Sequence, residues 1–270
     1  MKIGLAIGPF ALLVGCAGDG GQRPEPPLGT LDLRAAMQAT GDVKPVGIAV
    51  APDGQRFVFE ETRGLYRLEG DRAVVVVPMS AMPDPGPTAP LQLPFTDLVA
   101  IAPNVFAITA IGDGYLLNTA AMTLQPHFCY VPDGLPSTFT QRTDAIAYDA
   151  VLDRLYAQPI TYDEGNVVQF AEVAGYELAT GQDIEWHTTR PDVAATAMIS
   201  IPGVGLVLGQ GAVLSRFDLE TNEATPLDDL SRFGVHSIDG LAIDAATGAL
   251  VVVDQQTDAV FDIGLSLLAF

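Results

Sequence analysis

An all-β architecture assembled from repeated four-stranded units is the fold class this sequence predicts, and three observations carry it. First, residues 44–68, KPVGIAVAPDGQRFVFEETRGLYRL, divide into three short apolar or alternating runs separated by turn signals, the pattern of consecutive antiparallel strands. Second, the opening of that stretch recurs four more times downstream, which places Ala49, Ala100, Ala147, Ile199 and Ala242 at one position with 43–52 residues between copies. Third, the repeats carry four strand signals each where they are best preserved. A period in the forties to low fifties with four strands per unit is the signature of a β-propeller, a ring of blades around an axial channel.

The first unit justifies itself residue by residue. Residues 47–51 (GIAVA) form a short continuous apolar run, which suits a strand buried on both faces. Asp53 and Gly54 are a hairpin signal, because glycine accepts the positive φ of a tight turn. Phe57, Val58 and Phe59 make the return strand, Arg63 and Gly64 turn again, and residues 65–68 alternate as a third strand. Residues 69–71 (EGD) turn once more into a fourth, β-branched run at 73–77. The small residue shared by the innermost strands has a physical reason, since strands near an axis crowd together.

The rest of the chain follows in order. Residues 31–40 (LDLRAAMQAT) read either as a helical turn or as a strand that closes the ring against the last blade. Residues 79–94 hold five prolines and read as a loop between blades one and two. The second copy opens at residues 96–101 and the third at 143–148, the latter with a polar insertion at 161–166. The fourth, at 197–200, is the most degenerate; the fifth, at 238–243, is clear again. Residues 266–270 are, beside residues 31–40, a candidate for the last blade's fourth strand. Five copies predict five blades, with a sixth possible in the proline-rich loop or at the ends.

Composition bounds the function. The 270 residues suffice for one large all-β domain, and the 49% hydrophobic content supports a sizeable core. A formal charge of -20 repels phosphate backbones and excludes nucleic-acid binding; it suits solubility, or attraction of cations. The two cysteines, Cys16 and Cys129, lie in contexts that speak against a disulfide between them.

Residues 1–15, MKIGLAIGPFALLVG, hold Lys2 followed by an apolar run of about 13 residues, too short to span a bilayer and of signal-peptide length. Leu13, Val14, Gly15 and Cys16 resemble the lipobox of bacterial lipoproteins. The resemblance implies cleavage after Gly15 and lipid attachment at Cys16. Ala17, where aspartate would favour inner-membrane retention, implies the outer membrane of the cell envelope. Residues 16–30 then read as lipidated cysteine plus a Gly- and Pro-rich tether, reaching on the order of 20 Å. Residues 31–270 form the propeller domain.

Pro45, Gly47, Ile48, Ala49 and Val50, with Gly240, Leu241, Ala242, Ile243 and Asp244, resemble the repeat opening of NHL-type and related six-bladed propellers. Sugar-lactone hydrolases are also propellers, and that resemblance implies a metal in the channel. The glutamate their first blade supplies has no counterpart at residues 44–46 (KPV). Anchor and fold together are also similar to a propeller lipoprotein that assists outer-membrane barrel assembly.

Asp97, Asp144 and Asp239 each stand just before an innermost strand. On a closed ring they would face one another across one mouth of the channel, and three converging carboxylates suit a hard cation such as Ca²⁺. The plainer role is to start each strand by accepting a nearby backbone N–H. Other motifs are weaker. Gly203, Gly205 and Gly209 read as hairpin glycines, because no helix follows to hold a phosphate. His127 and Cys129 share a strand face but are two ligands only. His187 and His236 have no nucleophile pattern nearby, and Trp186 reads as packing or a surface anchor.

These features predict a membrane-anchored binding or scaffold platform for a protein or small ligand, with no catalytic residue and no required cofactor. The alternatives are a metal-dependent, lactonase-like hydrolase with its site at the channel mouth and an envelope-assembly factor.

Overall fold

A computed structural model of the chain describes residues 26–86, 93–129, 140–189 and 191–270. Its first strand, β1 (Gly29–Asp32), leads into a single helical turn, α1 (Leu33–Ala36). Blade one is β2 (Pro45–Val50), β3 (Arg56–Glu60), β4 (Gly64–Glu69) and β5 (Arg72–Pro78). Blade two is β6 (Phe95–Ala102), β7 (Val105–Ala110), β8 (Asp113–Asn118) and β9 (Thr123–Cys129). Blade three is β10 (Thr140–Asp149), β11 (Arg154–Tyr162), β12 (Val168–Glu177) and β13 (Asp183–Thr189). Blade four is β14 (Ala197–Ile201), β15 (Gly205–Gln210), β16 (Val213–Asp218) and β17 (Glu223–Asp229). Blade five is β18 (Gly240–Asp244), β19 (Ala249–Asp254) and β20 (Ala259–Gly264), completed from the other end of the chain by β1, which pairs antiparallel with β20.

The innermost strands neighbour one another in the cyclic order β2, β6, β10, β14, β18 and back to β2. The fold is a five-bladed β-propeller. Every blade is antiparallel throughout.

Period-two alternation explains why each blade buries both faces. On β3, Phe57 and Phe59 point toward blade two, where they meet Phe106 and Phe95 edge-on at 4.8 and 4.9 Å. Val58 between them points the other way, into the cluster shared with blade five. Strand β19 does the same: Leu250 and Val252 face blade four, while Val251 and Val253 face blade one. The core is thus a set of clusters between neighbouring blades. Between blades two and three, Phe128 stacks on Tyr176 with centroids 4.2 Å apart.

At the ends of the chain expectation is met in part. Residues 31–40 supply both of the readings the sequence allows, the closing strand and the helical turn, the latter capped by Asp32 Oδ1 accepting from Ala35 N at 2.9 Å. The closing strand begins at Gly29, so the last two residues assigned to the tether belong to the sheet. Residues 266–270 do not form the fourth strand of blade five: a short 3-10 turn, Leu265–Leu267, stands there, because β1 already occupies the outer edge of β20. Gly15 and Cys16 lie outside the described residues.

Candidate functional site at the channel mouth

The starts of the innermost strands converge on one end of the axis. A cavity of about 300 Å³ opens there, lined from all five blades. Blade one gives Pro45, Val46 and Glu61; blade two gives Pro94, Phe95 and Thr96; blade three gives Arg142, Asp144 and Tyr162; blade four gives Thr196; blade five gives Asp239 and Gln255.

Local backbone irregularity decides which side chains reach it. In β2, β6 and β10 the ladder to the next strand skips one residue near the start, leaving Val46, Thr96 and Asp144 without cross-strand partners. A bulge of this kind re-aims a side chain, and all three of these line the cavity. Thr196 and Asp239 sit one residue before β14 and β18 and complete the ring.

The three aspartates singled out by sequence therefore separate. Asp144 and Asp239 line the mouth; Asp97 does not. A second bulge in β6, at Ala100 and Ala102, adds a residue to that strand. Ladder pairing then makes Thr96 the equivalent of Val46 and Asp144, and sets Asp97 one position further in. Because one residue of slip exchanges faces, Asp97 turns away from the cavity and is buried, its Oδ1 against Gly47 of blade one and its Oδ2 against blade three. Its Oδ1 accepts from Leu98 N at 2.7 Å and its Oδ2 from Ile146 N at 3.0 Å. That is the strand-starting role, extended across a blade boundary. Among the described residues no group of three or more His, Cys, Asp or Glu side chains is placed to hold a metal ion.

Burial holds all three carboxyls above the ordinary carboxylate range. For Asp97 burial outweighs the two backbone N–H bonds, and the nearby Asp144 and Asp239 push the same way. For Asp144 burial is opposed by Arg142 and by Tyr162, whose hydroxyl donates to Oδ2 at 2.9 Å. For Asp239 burial is opposed by bonds from Gln255 N, at 2.8 Å to Oδ2, and from Ser237, while Asp254 adds to the rise.

Blade three supplies the most elaborate wall. Strands β10, β11 and β12 run to 10, 9 and 10 residues, and the polar insertion joins β11 to β12 as a turn beside the mouth. Arg142 and Tyr162 ride on this extension: Arg142 Nε lies 3.0 Å from Asp144 Oδ1. The two threonines do a different job. Thr96 Oγ1 donates to the backbone carbonyl of Thr143 in blade three, and Thr196 Oγ1 to that of Ile238 in blade five, at 2.5 Å. Each hydroxyl ties the mouth of one blade to the residue preceding the next blade's aspartate.

Sequence reasoning missed Thr96, Arg142 and Tyr162. The repeated Thr-Asp dipeptide at 96–97 and 143–144 was a usable signal, but only the bulges reveal which member faces the channel. The remaining motifs stand apart from the mouth. Gly203 and Gly205, both at positive φ, form the turn between β14 and β15. His127 and Cys129 lie on β9; Trp186, on β13, is part-exposed and donates to Asp183 Oδ2 at 3.0 Å.

No protein-family model matches the chain, and no curated protein is similar to it in sequence. Among solved structures, a gluconolactonase of Xanthomonas campestris superposes with a TM-score of 0.51 and 14% identity, over 80% of this chain and 70% of that one. A luciferin-regenerating enzyme aligns at a TM-score of 0.46 and 9% identity, over 84% of this chain and 76% of the other. A chain of a mitotic checkpoint complex aligns at 0.45 and 11%, over 97% and 98% of the two. The first of these likenesses shows the fold, a β-propeller, and at such identity the fold alone.

Proposed function

We propose that this chain is an envelope lipoprotein, cleaved after Gly15 and anchored through a lipid on Cys16, whose propeller is a platform that binds a small polar ligand at the channel mouth. The observation that carries the binding reading is the cavity: hydroxyl, guanidinium and carboxylate groups from different blades converge on one open cavity. Few, converging polar groups on a rigid frame are what orient a small ligand. The Leu-Val-Gly-Cys sequence at 13–16 supports the anchor. Binding is favoured over metal-dependent hydrolysis because Asp144 is engaged by Arg142 and Tyr162, and Asp97 by two backbone amides. That leaves few carboxylate oxygens for an ion such as Ca²⁺.

Thermal unfolding of the full-length chain in detergent, against a panel of small polar compounds, tests the platform. A ligand selective for the folded state adds RT ln(1 + [L]/Kd), ~2.7 kcal/mol at a hundredfold excess over Kd. The expected result is a rise of several degrees with at least one compound, lost in Asp239→Asn, and no change between Ca²⁺ and chelator. No response to any compound would overturn the mouth as a ligand site; a Ca²⁺-dependent rise would move the reading to the metal site. Retention of a Cys16→Ser variant in membranes would overturn the anchor.

A further inference from the structure

The mouth is bipolar, and that narrows what it can hold. Arg142 is the single cation among the described lining residues, and its side chain is 45% exposed. Its Nε faces Asp144, which Tyr162 holds in turn, so the guanidinium is fixed at its inner edge. Neither Nη has a hydrogen-bond partner among the described residues, which leaves the outer edge able to grip a carboxylate with two parallel bonds. The opposite sign comes from other blades: Asp239 from blade five and Glu61 from blade one. Glu61 has only a loose pairing with Lys44 at 3.7 Å, and Asp239 keeps acceptor capacity beyond its bonds from Gln255 N and Ser237.

Neither single charge uses both walls of this lining. A simple anion would gain Arg142 but approach Asp239 and Glu61, on a chain of net charge -20. A simple cation would gain the carboxylates but leave the Nη edge of Arg142, whose charge Asp144 already balances, without an acceptor. A molecule carrying both charges satisfies both walls. We propose, on the platform reading given above, that the mouth binds a small zwitterion of the amino-acid class, its carboxylate on the Nη groups of Arg142 and its ammonium on Asp239 and Glu61. Arg142 is prepositioned by the Tyr162–Asp144 chain, so little side-chain ordering remains for the ligand to impose.

Calorimetric titration of the full-length chain with glycine, β-alanine, 4-aminobutyrate and 6-aminohexanoate tests this, because the series varies the separation of the charges. Propionate, butyrate, propylamine and butylamine supply each charge alone, and glycerol supplies neither. The expected result is saturable binding with one best length, about tenfold or more weaker for the matching single-charge compounds. Arg142→Gln and Asp239→Asn are each expected to weaken that best zwitterion by about tenfold. Should Arg142→Gln fail to fold for want of a partner to Asp144, Asp239→Asn decides alone, since it leaves the Arg142–Asp144–Tyr162 chain intact. Equal binding of an amine or an acid alone would overturn the zwitterion while leaving the platform standing. So would a panel in which only uncharged compounds bind. Absence of binding by every compound, in this series and in the wider panel, would overturn both.

Discussion

At the scale of single residues, local surroundings give two sets of acids in this protein opposite pH behaviour. Asp97, Asp144 and Asp239 are held above the ordinary carboxylate range, chiefly by burial. Asp218 and Asp229, each fixed by hydrogen bonds at a turn, are held below it. Raised carboxyls favour the folded state while protonated, so their contribution is fully present below the unfolded value of ~3.9 and is lost as pH rises through the folded value. Lowered carboxyls contribute above ~3.9 and lose that contribution on further acidification. Thermal stability is therefore expected to increase as pH falls from neutrality toward the unfolded carboxylate value of ~3.9, then fall in stronger acid. Self-repulsion at a charge of -20 would act in the same direction, so the scan belongs at about 1 M salt, where the Debye length is ~3 Å. Asp97→Asn should flatten the rise, because it removes the most deeply buried of the three. Parallel curves for the two proteins would assign the rise to other groups.

At the scale of the strand, the ring depends on how closely neighbouring innermost strands approach. A Cβ on Gly240 of β18 would lie 2.7 Å from Ile48 N and 2.9 Å from Gly47 Cα of β2, both backbone atoms. Gly240→Ala must push blades five and one apart, and a cost of ~1–3 kcal/mol is expected, as for overpacking of a tight core. Urea unfolding checks it, with Gly41→Ala, which meets nothing within 4 Å, as the control expected to be near neutral. The same innermost strands were the part of the fold legible in sequence. Each holds a short apolar run buried on both faces, which leaves a continuous signal, and glycine recurs where blades meet. The outer strands were harder to read: β13 (DIEWHTT) and β17 (EATPLDD) are half exposed and polar, and nothing in their composition separates them from loops. The site was legible to within one residue. Asp144 and Asp239 reach the mouth where the repeat pattern expects them, but two bulges in β6 displace Asp97 and bring Thr96 forward. Bulges depend on pairing geometry with the neighbouring strand, which an apolar repeat does not encode. Arg142 and Tyr162 were hidden for a similar reason, since their meeting at Asp144 depends on register between β10 and β11.

At the scale of the whole molecule, closure of the ring is a contact between the two ends of the described chain. Without β1, blade five would have three strands and β20 would present an unpaired edge. Three further contacts converge on the same seam. Leu33, fully buried, enters the cluster shared by blades five and one. Arg34 of α1 pairs with Asp258 at 2.5 Å. Arg56 of blade one grips Asp244 at 2.6 Å and Asp262 at 2.8 Å, both in blade five. The seam is therefore held by ladder, core and ion pairs together, as a ring requires of its one joint that no continuous blade bridges. A chain starting at residue 26 and one starting at residue 33 isolate the strand's share. Loss of β1 removes a four-residue ladder, and at ~1 kcal/mol per hydrogen bond together with lost cover over β20 a drop of roughly 3 kcal/mol or more is expected. Leu33→Ala, which keeps the ladder but opens the core, should cost ~2–5 kcal/mol. Hydrogen exchange distinguishes a local from a global effect: amides of β20 and β19 should lose protection before those of blades two and three in the shortened chain. Uniform loss of protection around the ring would mean that the blades fold as one unit and that β1 stabilises all of them equally. Unchanged protection in blade five would mean that the ring stays closed without its first strand, and that Leu33 and Arg56 suffice to hold the joint.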